Sequence, residues 1–258
     1  MNKYCNNQGT VRQYSSSHGI GCRYGFFSRH GGSGTAPFDS MNVSYGVGDE
    51  KKTVSVNRQR IGEIIGFSAL LSAKQVHGDD IFSLTEPLNS NREIEGADAL
   101  ITDQQGIGLM IQQADCQAVL LFDPVQKVIA AVHCGWRGSV INILAKVVHR
   151  MESQFAVSPE NLLAAISPSL GPCCAEFVNY REEFPVEFKL FMERPDYFNF
   201  WQVSKYQLVD AGLRESKITA DGTCTCCSKD YFSYRRSSRF SGGITGRNCS
   251  ITGMDSVV

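Results

Sequence analysis

Two apolar runs, residues 118–122 (Ala-Val-Leu-Leu-Phe) and 128–132 (Val-Ile-Ala-Ala-Val), stand on either side of Asp123-Pro124. Short apolar runs bounded by turn formers read as buried strands, joined here through the turn-forming Asp123-Pro124. Each run carries a polar residue where packing has no use for one. Cys116, preceded by Asp115, stands at the start of the first; His133 follows the second and leads into Cys134-Gly135-Trp136-Arg137-Gly138. If the strands pair as an antiparallel hairpin, the start of one lies beside the end of the other, and Cys116 meets His133.

The chain is long enough to bury such strands. Its 258 residues are 42% apolar, enough for one large core. We expect a single domain over residues 21–258, preceded by a loosely ordered arm, residues 1–20, that contributes little beyond an edge strand. With 25 basic and 26 acidic side chains and no long single-sign block, the net charge is -1. That balance argues against nucleic-acid and membrane-surface partners and for a small molecule. No apolar run approaches the roughly 18 to 20 residues that span a bilayer, and the polar N-terminus lacks the apolar segment of a signal peptide. The expected compartment is the cytoplasm, with the ten cysteines as reduced thiols, some of them ligands or nucleophiles.

Along the chain, Tyr24 to Phe27 form an aromatic strand running into Ser28-Arg29-His30-Gly31-Gly32. Residues 50–67 place Val54, Ile61, Ile64 and Ile65 on one helical face, with Gly66 as C-cap and Asn57-Arg58 in the middle. Residues 70–82 read as a strand, a turn at Gly78-Asp79-Asp80 and a second strand start, with His77 just before the turn. Residues 97–103 are strand-like and closed by Gly106. Residues 139–155 have helical spacing; backbone N–H groups at the start of that helix, with Arg137, offer an anion pocket. Leu162 to Ile166 form a strand, residues 180–195 and 203–211 covering helices, and Phe232-Ser233-Tyr234-Arg235-Arg236 a final strand. Cys224 and Cys227 have C-x₂-C spacing; a structural zinc site with Cys173 or Cys174 is an option, but no second C-x₂-C pair supports it.

The central residues admit three chemistries. His77, Cys116 and His133 supply two nitrogens and a sulfur, which leaves one position of a tetrahedral zinc ion open, the mark of a catalytic site. Without a metal, Cys116 is a thiolate nucleophile, His133 its base and Asp115 or Asp98 the orienting carboxylate. Copper also suits His and Cys, but five histidines in total are few for a multicopper centre.

The motifs Gln75-Val76-His77-Gly78, Gly96-Ala97-Asp98-Ala99-Leu100-Ile101-Thr102, Ala114-Asp115-Cys116, His133-Cys134-Gly135-Trp136-Arg137-Gly138, Gly171-Pro172-Cys173-Cys174 and Phe232-Ser233-Tyr234-Arg235-Arg236 closely resemble the laccase-domain, or multicopper-polyphenol-oxidase-like, family. It is also known as the purine nucleoside phosphorylase family of laccase-domain proteins and as the peptidoglycan editing factor family. The resemblance runs from about residue 24 to 250. It implies an α/β (α+β) fold, a four-layer α/β/β/α sandwich with mixed sheets, and a cytosolic enzyme with zinc at His77, Cys116 and His133.

The implied activity is phosphorolysis of adenosine, inosine and S-methyl-5'-thioadenosine, together with adenosine deamination. Its partners are then a purine nucleoside and phosphate, and the state is monomer or homodimer. For phosphate, Arg58 in the Asn-Arg helix motif is the first choice, with Arg29 and Arg137 behind it; Asp115 is the acid by proximity. Alternatives within the same resemblance are a Cys/His amidase or editing enzyme acting on a peptidoglycan precursor and, third, a copper polyphenol oxidase. One departure concerns Cys134, where the family usually has Ala. Alternation along a strand points this thiol away from His133.

Overall fold

The computed structural model of the chain describes residues 2–6, 9–14 and 21–255, with side chains from residue 21 onward. In chain order the strands and helices are β1 (Asn2–Asn6), β2 (Gly9–Tyr14), β3 (Cys22–Phe27), α1 (Lys51–Ile65), β4 (Ala69–Lys74), β5 (Ile81–Leu84), β6 (Arg92–Glu95), β7 (Ala99–Thr102), β8 (Ile107–Gln113), β9 (Gln117–Asp123) and β10 (Val128–Cys134). There follow α2 (Trp136–Val140), α3 (Ile143–Phe155), β11 (Leu163–Ile166), α4 (Tyr180–Glu183), β12 (Met192–Arg194), β13 (Tyr197–Phe198), α5 (Phe200–Asp210), β14 (Ile218–Ala220), α6 (Tyr234–Phe240) and β15 (Asn248–Met254).

Two mixed sheets hold the molecule together. The first has the order β1-β2-β3-β15-β8-β4-β6 and the second β14-β11-β9-β10-β7-β5. The two apolar runs form the antiparallel pair β9 and β10 at the centre of the second sheet, in the register Val132↔Val119 and His133↔Ala118. Because successive side chains on a strand face opposite ways, each run feeds two cores. Ala118, Leu120, Phe122, Ile129 and Ala131 meet Tyr24, Leu71, Leu109 and Ile111 of the first sheet. Val119, Leu121, Ala130 and Val132 face Leu144, Val147, Met151 and Leu208 of α3 and α5. On the far side, Ile61 and Ile65 of α1 cover Met110 and Ile251. The layers are therefore helix, sheet, sheet, helix in one domain, the α/β/β/α sandwich expected.

Four segments differ from their sequence pattern, each for a local reason. The run 139–155 is not one helix: Asn142 takes a left-handed conformation (φ 52), ends the short α2 and caps α3 by accepting from the Ala145 N–H. The run 180–195 ends as an α-helix after one turn, since Pro185 holds Phe184 in extended geometry; a 3₁₀ segment and β12 follow. Residues 234–240 are helix α6 rather than a final strand, because Ser233 acts as its N-cap through the Arg236 N–H. The closing strand is β15. Its inward positions Asn248, Ser250 and Thr252 are polar but buried, and they are paired: Asn248 exchanges two hydrogen bonds with the Phe232 backbone, Ser250 accepts from Gln113, and Thr252 meets Cys22. At the opposite edge, β2 pairs antiparallel with β3 and β1 with β2, so residues 2–6 and 9–14 supply two strands of the first sheet, β1 being the edge.

Candidate metal centre and its cavity

Two of the chain's crossovers between the sheets lie side by side at one end of the sandwich and carry the site. One crossover joins β4 to β5 through His77; the other joins β8 to β9 through Ala114-Asp115-Cys116. The C-terminal end of β10 arrives beside them with His133. Both crossovers turn through a non-glycine residue of positive φ, His77 (62°) and Asp115 (88°), a costly conformation that the surrounding structure must enforce.

Two carboxylates do the enforcing. Asp98, fully buried, accepts backbone N–H groups of Val76, His77 and Gly78 at 2.8 to 3.1 Å, and so holds the first crossover. The same carboxylate takes the Nδ1–H of His133 at 2.8 Å, which orients the ring and turns Nε2 toward Cys116, where it can ligate a metal once its proton is displaced. Burial alone would raise the Asp98 pKa, yet the His133 contact and these N–H donors bring it below the usual carboxylate value. Asp115 does the same for the second crossover. It accepts from Thr225 Oγ1 at 2.7 Å and from the Arg235 N–H at 2.5 Å, and its carbonyl takes the Leu170 N–H.

His77, Cys116 and His133 converge as a result. Their ligand atoms all lie within 4.8 Å of one another, and His77 Nε2 is 3.7 Å from Cys116 Sγ. Zinc bonds of about 2.0 to 2.3 Å to N and S place tetrahedral ligands roughly 3.3 to 3.8 Å apart, so the trio fits one ion. Burial opposes ionisation of Cys116, but His133 and His77 outweigh it and bring the thiol down to about 6. His133 is correspondingly raised to about 9 against its own burial, by the Cys116 charge and by Asp98. A thiolate is the form that ligates a metal or attacks a carbon. Cys134, one residue on, points into the helix side with its sulfur 3.4 Å from Ser139 Oγ, and burial pushes that thiol up to about 12.

The trio lines a cavity of about 930 Å³, walled by Trp136, Phe177 and Tyr234 and by the cations Arg137, Arg235 and Arg247. Nucleoside-sized ligands occupy cavities of this scale. Of the arginines singled out by sequence, Arg137 is on the wall, stacked on Trp136 with 4.2 Å from guanidinium to ring centroid. Arg58 lies beneath it, 5% exposed, and its guanidinium donates to Val43 O, Ser72 Oγ and Glu93 Oε2 at 2.6 to 3.1 Å. Arg29 is bound to Asp39 and stacked on Phe232, away from the cavity.

Arg235 and Arg247 were not foreseen as cavity residues. Arg235 lies in the first turn of α6, which the sequence pattern presents as a strand. Arg247 precedes Asn248, which pairs with Gln113 at the end of β8; only knowledge of β15 would have placed it opposite Ala114.

A family model described as multi-copper polyphenol oxidoreductase laccase matches residues 23–255. The chain is 29% identical over 255 residues to a Geobacillus stearothermophilus protein named purine nucleoside phosphorylase YlmD, covering 89% of each. It is 34% identical to Escherichia coli purine nucleoside phosphorylase YfiH, covering 81% of this chain and 86% of that one. The crystal structure of YlmD from Geobacillus stearothermophilus superimposes with a TM-score of 0.82 at 27% identity, over 95% of this chain and 99% of that one. Fold, match over nearly the whole chain and curated relatives agree, and the chain belongs to the multi-copper polyphenol oxidoreductase laccase family.

Proposed function

We propose that this chain is a zinc-dependent purine nucleoside phosphorylase that acts on adenosine, inosine and S-methyl-5'-thioadenosine, and that the same site deaminates adenosine. The observation that carries this reading is the open three-donor cluster of His77, Cys116 and His133 inside a cavity walled by both aromatic rings and arginines. The relatives named purine nucleoside phosphorylase support it. When bound, the zinc supplies a Lewis acid with one position open to solvent or substrate.

The protein's own groups do the rest. Trp136, Phe177 and Tyr234 offer faces for the purine. In phosphorolysis a phosphate oxygen bonds to C1′ of the ribose as the bond from C1′ to the purine nitrogen breaks, so phosphate must be held beside the sugar. Arg137 and Arg247 are the donors we assign to it. The Arg137 side chain has no hydrogen-bond or ion-pair partner among the described residues, and stacking on Trp136 orients its fork. Arg247 is braced by the Thr245 and Gly246 carbonyls. Arg58 acts as a support under the floor, its donors already used. Asp115 is a positioning residue, since Thr225 and Arg235 occupy both its oxygens.

Adenosine and phosphate incubated with the zinc-loaded protein should yield adenine and ribose 1-phosphate, and adenosine alone should yield inosine and ammonia. Absence of both products at full metal occupancy would sink the proposal. Replacing Arg137 or Arg247 by Ala should lower kcat/KM for phosphate roughly 10- to 100-fold, the worth of a charged hydrogen bond, while metal content and phosphate-independent deamination stay near wild type. Equal losses in both reactions would remove these arginines from the phosphate site.

One arrangement favours a second reading. Cys116, His133 and Asp98 stand in the order nucleophile, base and orienting carboxylate, as an amidase or editing enzyme acting on a peptidoglycan precursor requires. Such an activity would survive chelation and be lost on alkylation of Cys116, whereas the zinc phosphorylase loses activity to chelation and regains it with added zinc. For copper, His77 and His133 are the sole histidines that share a metal-ligating cluster among the described residues, too few for a multinuclear centre.

A further inference from the structure

Outside the cavity, a second set of metal-ligating side chains comes together. β11 and β14 are parallel neighbours, so the loops that follow them leave the sheet side by side. The loops stay paired: Ser169 and Cys224 form an isolated parallel bridge, with Ser169 N donating to Thr223 O at 3.2 Å and Thr225 N to Ser169 O at 2.9 Å. The first loop carries Cys173 and Cys174, and the second Cys224 and Cys227. All four sulfurs lie within 4.8 Å of one another. Cys227 Sγ is 3.5 Å from Cys173 Sγ and 3.4 Å from Cys174 Sγ.

We propose that Cys173, Cys174, Cys224 and Cys227 form a closed tetrathiolate site for one zinc ion, which clips the loop after β11 to the loop after β14.

The spacing decides between the uses of four cysteines. Zinc–sulfur bonds of about 2.3 Å in a tetrahedron set the sulfurs about 3.8 Å apart, which the observed contacts approach. A disulfide would draw two sulfurs to about 2.05 Å and give no reason for the other two to gather; all four are free thiols here. An iron–sulfur cluster spreads its cysteines over several irons, wider than this group allows. Adjacent cysteines seldom serve one ion, but Cys173 and Cys174 sit in a tight turn, with the Cys174 and Ala175 N–H groups both reaching Gly171 O at 2.9 Å, and both sulfurs approach Cys227. The Cys224 to Cys227 segment closes a matching turn through Ser228 N to Cys224 O at 2.9 Å. Gly171 makes the approach possible, since a Cβ there would fall 2.9 Å from Cys224 Cβ and 2.8 Å from Trp201 Cη2.

Four protein ligands leave no open position, so this ion is structural. Its effect on the cavity is indirect. The clipped loops supply the Leu170 N–H and Thr225 Oγ1 that hold Asp115, next to the ligand Cys116.

Metal analysis of full-length protein purified anaerobically under reducing conditions tests the proposal without reference to activity. Wild type should contain two zinc ions per chain; Cys116→Ala, Cys173→Ser and Cys227→Ser one each; and Cys226→Ser, whose thiol adjoins Cys174 but is not one of the four ligands, two. A single zinc in the wild type that disappears with Cys116→Ala would overturn the proposal, as would iron in place of zinc. Where a serine variant fails to fold, cobalt substitution of folded proteins decides. The spectrum of a cobalt tetrathiolate should appear in wild type and persist in Cys116→Ala, and its absence from both would overturn the proposal equally.

Discussion

Cys116→Ala is expected to remove the ion of the cavity and to lower phosphorolysis at least about 1,000-fold, the scale on which loss of a Lewis acid acts, with little change in the stability of the metal-free protein. In the proposed site Cys116 is one of three ligands, and a His₂ remnant retains divalent metals far more weakly than His₂Cys. The residue sits in a loop rather than in a core cluster, only half-buried, so truncation opens no cavity among packed apolar groups. The control is Cys134→Ala, the residue usual at this position in the resembled family. Its thiol faces Ser139 on the helix side, and it should keep both metal and activity. Metal analysis, steady-state kinetics with adenosine and phosphate, and thermal melting of the metal-free proteins read the three quantities separately. Full metal and full turnover in Cys116→Ala would remove the trio from the reaction.

Asp98→Asn should be the second severe change, and it should act through both stability and metal binding. The carboxylate accepts three backbone N–H groups and the Nδ1–H of His133 in full burial. An amide of the same shape turns an NH₂ toward donors that then lack an acceptor, a cost of about 3 kcal/mol for a buried network of this kind. Loss of the carboxylate partner also frees the His133 ring and relaxes the crossover that places His77, for which a fall of roughly 10- to 100-fold in metal affinity is the usual consequence. Urea unfolding of the metal-free protein isolates the first effect, and competition with a zinc indicator the second. Unchanged affinity in a destabilised variant would reduce Asp98 to a structural residue.

What could be read before the fold was known followed from how local its cause was. The β9 and β10 hairpin, the Gly66 cap of α1 and the outward turn of Cys134 each depend on a few neighbouring residues, and periodicity exposes them. The meeting of Cys116 with His133 needed one step of topology, supplied by antiparallel pairing. β15 stayed hidden because its inward face is Asn248, Ser250 and Thr252, polar groups whose partners Phe232, Gln113 and Cys22 are distant in sequence. Without β15, Arg247 could not be placed, and Arg58 looked available although Glu93, 35 residues away, already holds it. Of the four-cysteine cluster, Cys224 and Cys227 were legible with Cys173 or Cys174 as an option; that both of the latter join depends on the parallel pairing of β11 with β14.

On the zinc reading, the two crossovers tie capture of the proposed ion to the order in which the chain assembles. A partly folded chain with only the second sheet formed would present Cys116 and His133 at the ends of β9 and β10, but not His77, whose position requires β4 to be seated in the first sheet and Asp98 to receive the crossover's N–H groups. High affinity then arises only when the two sheets close on each other. Zinc added during refolding would accordingly report sandwich closure, and its uptake should lag behind the burial of the central hairpin.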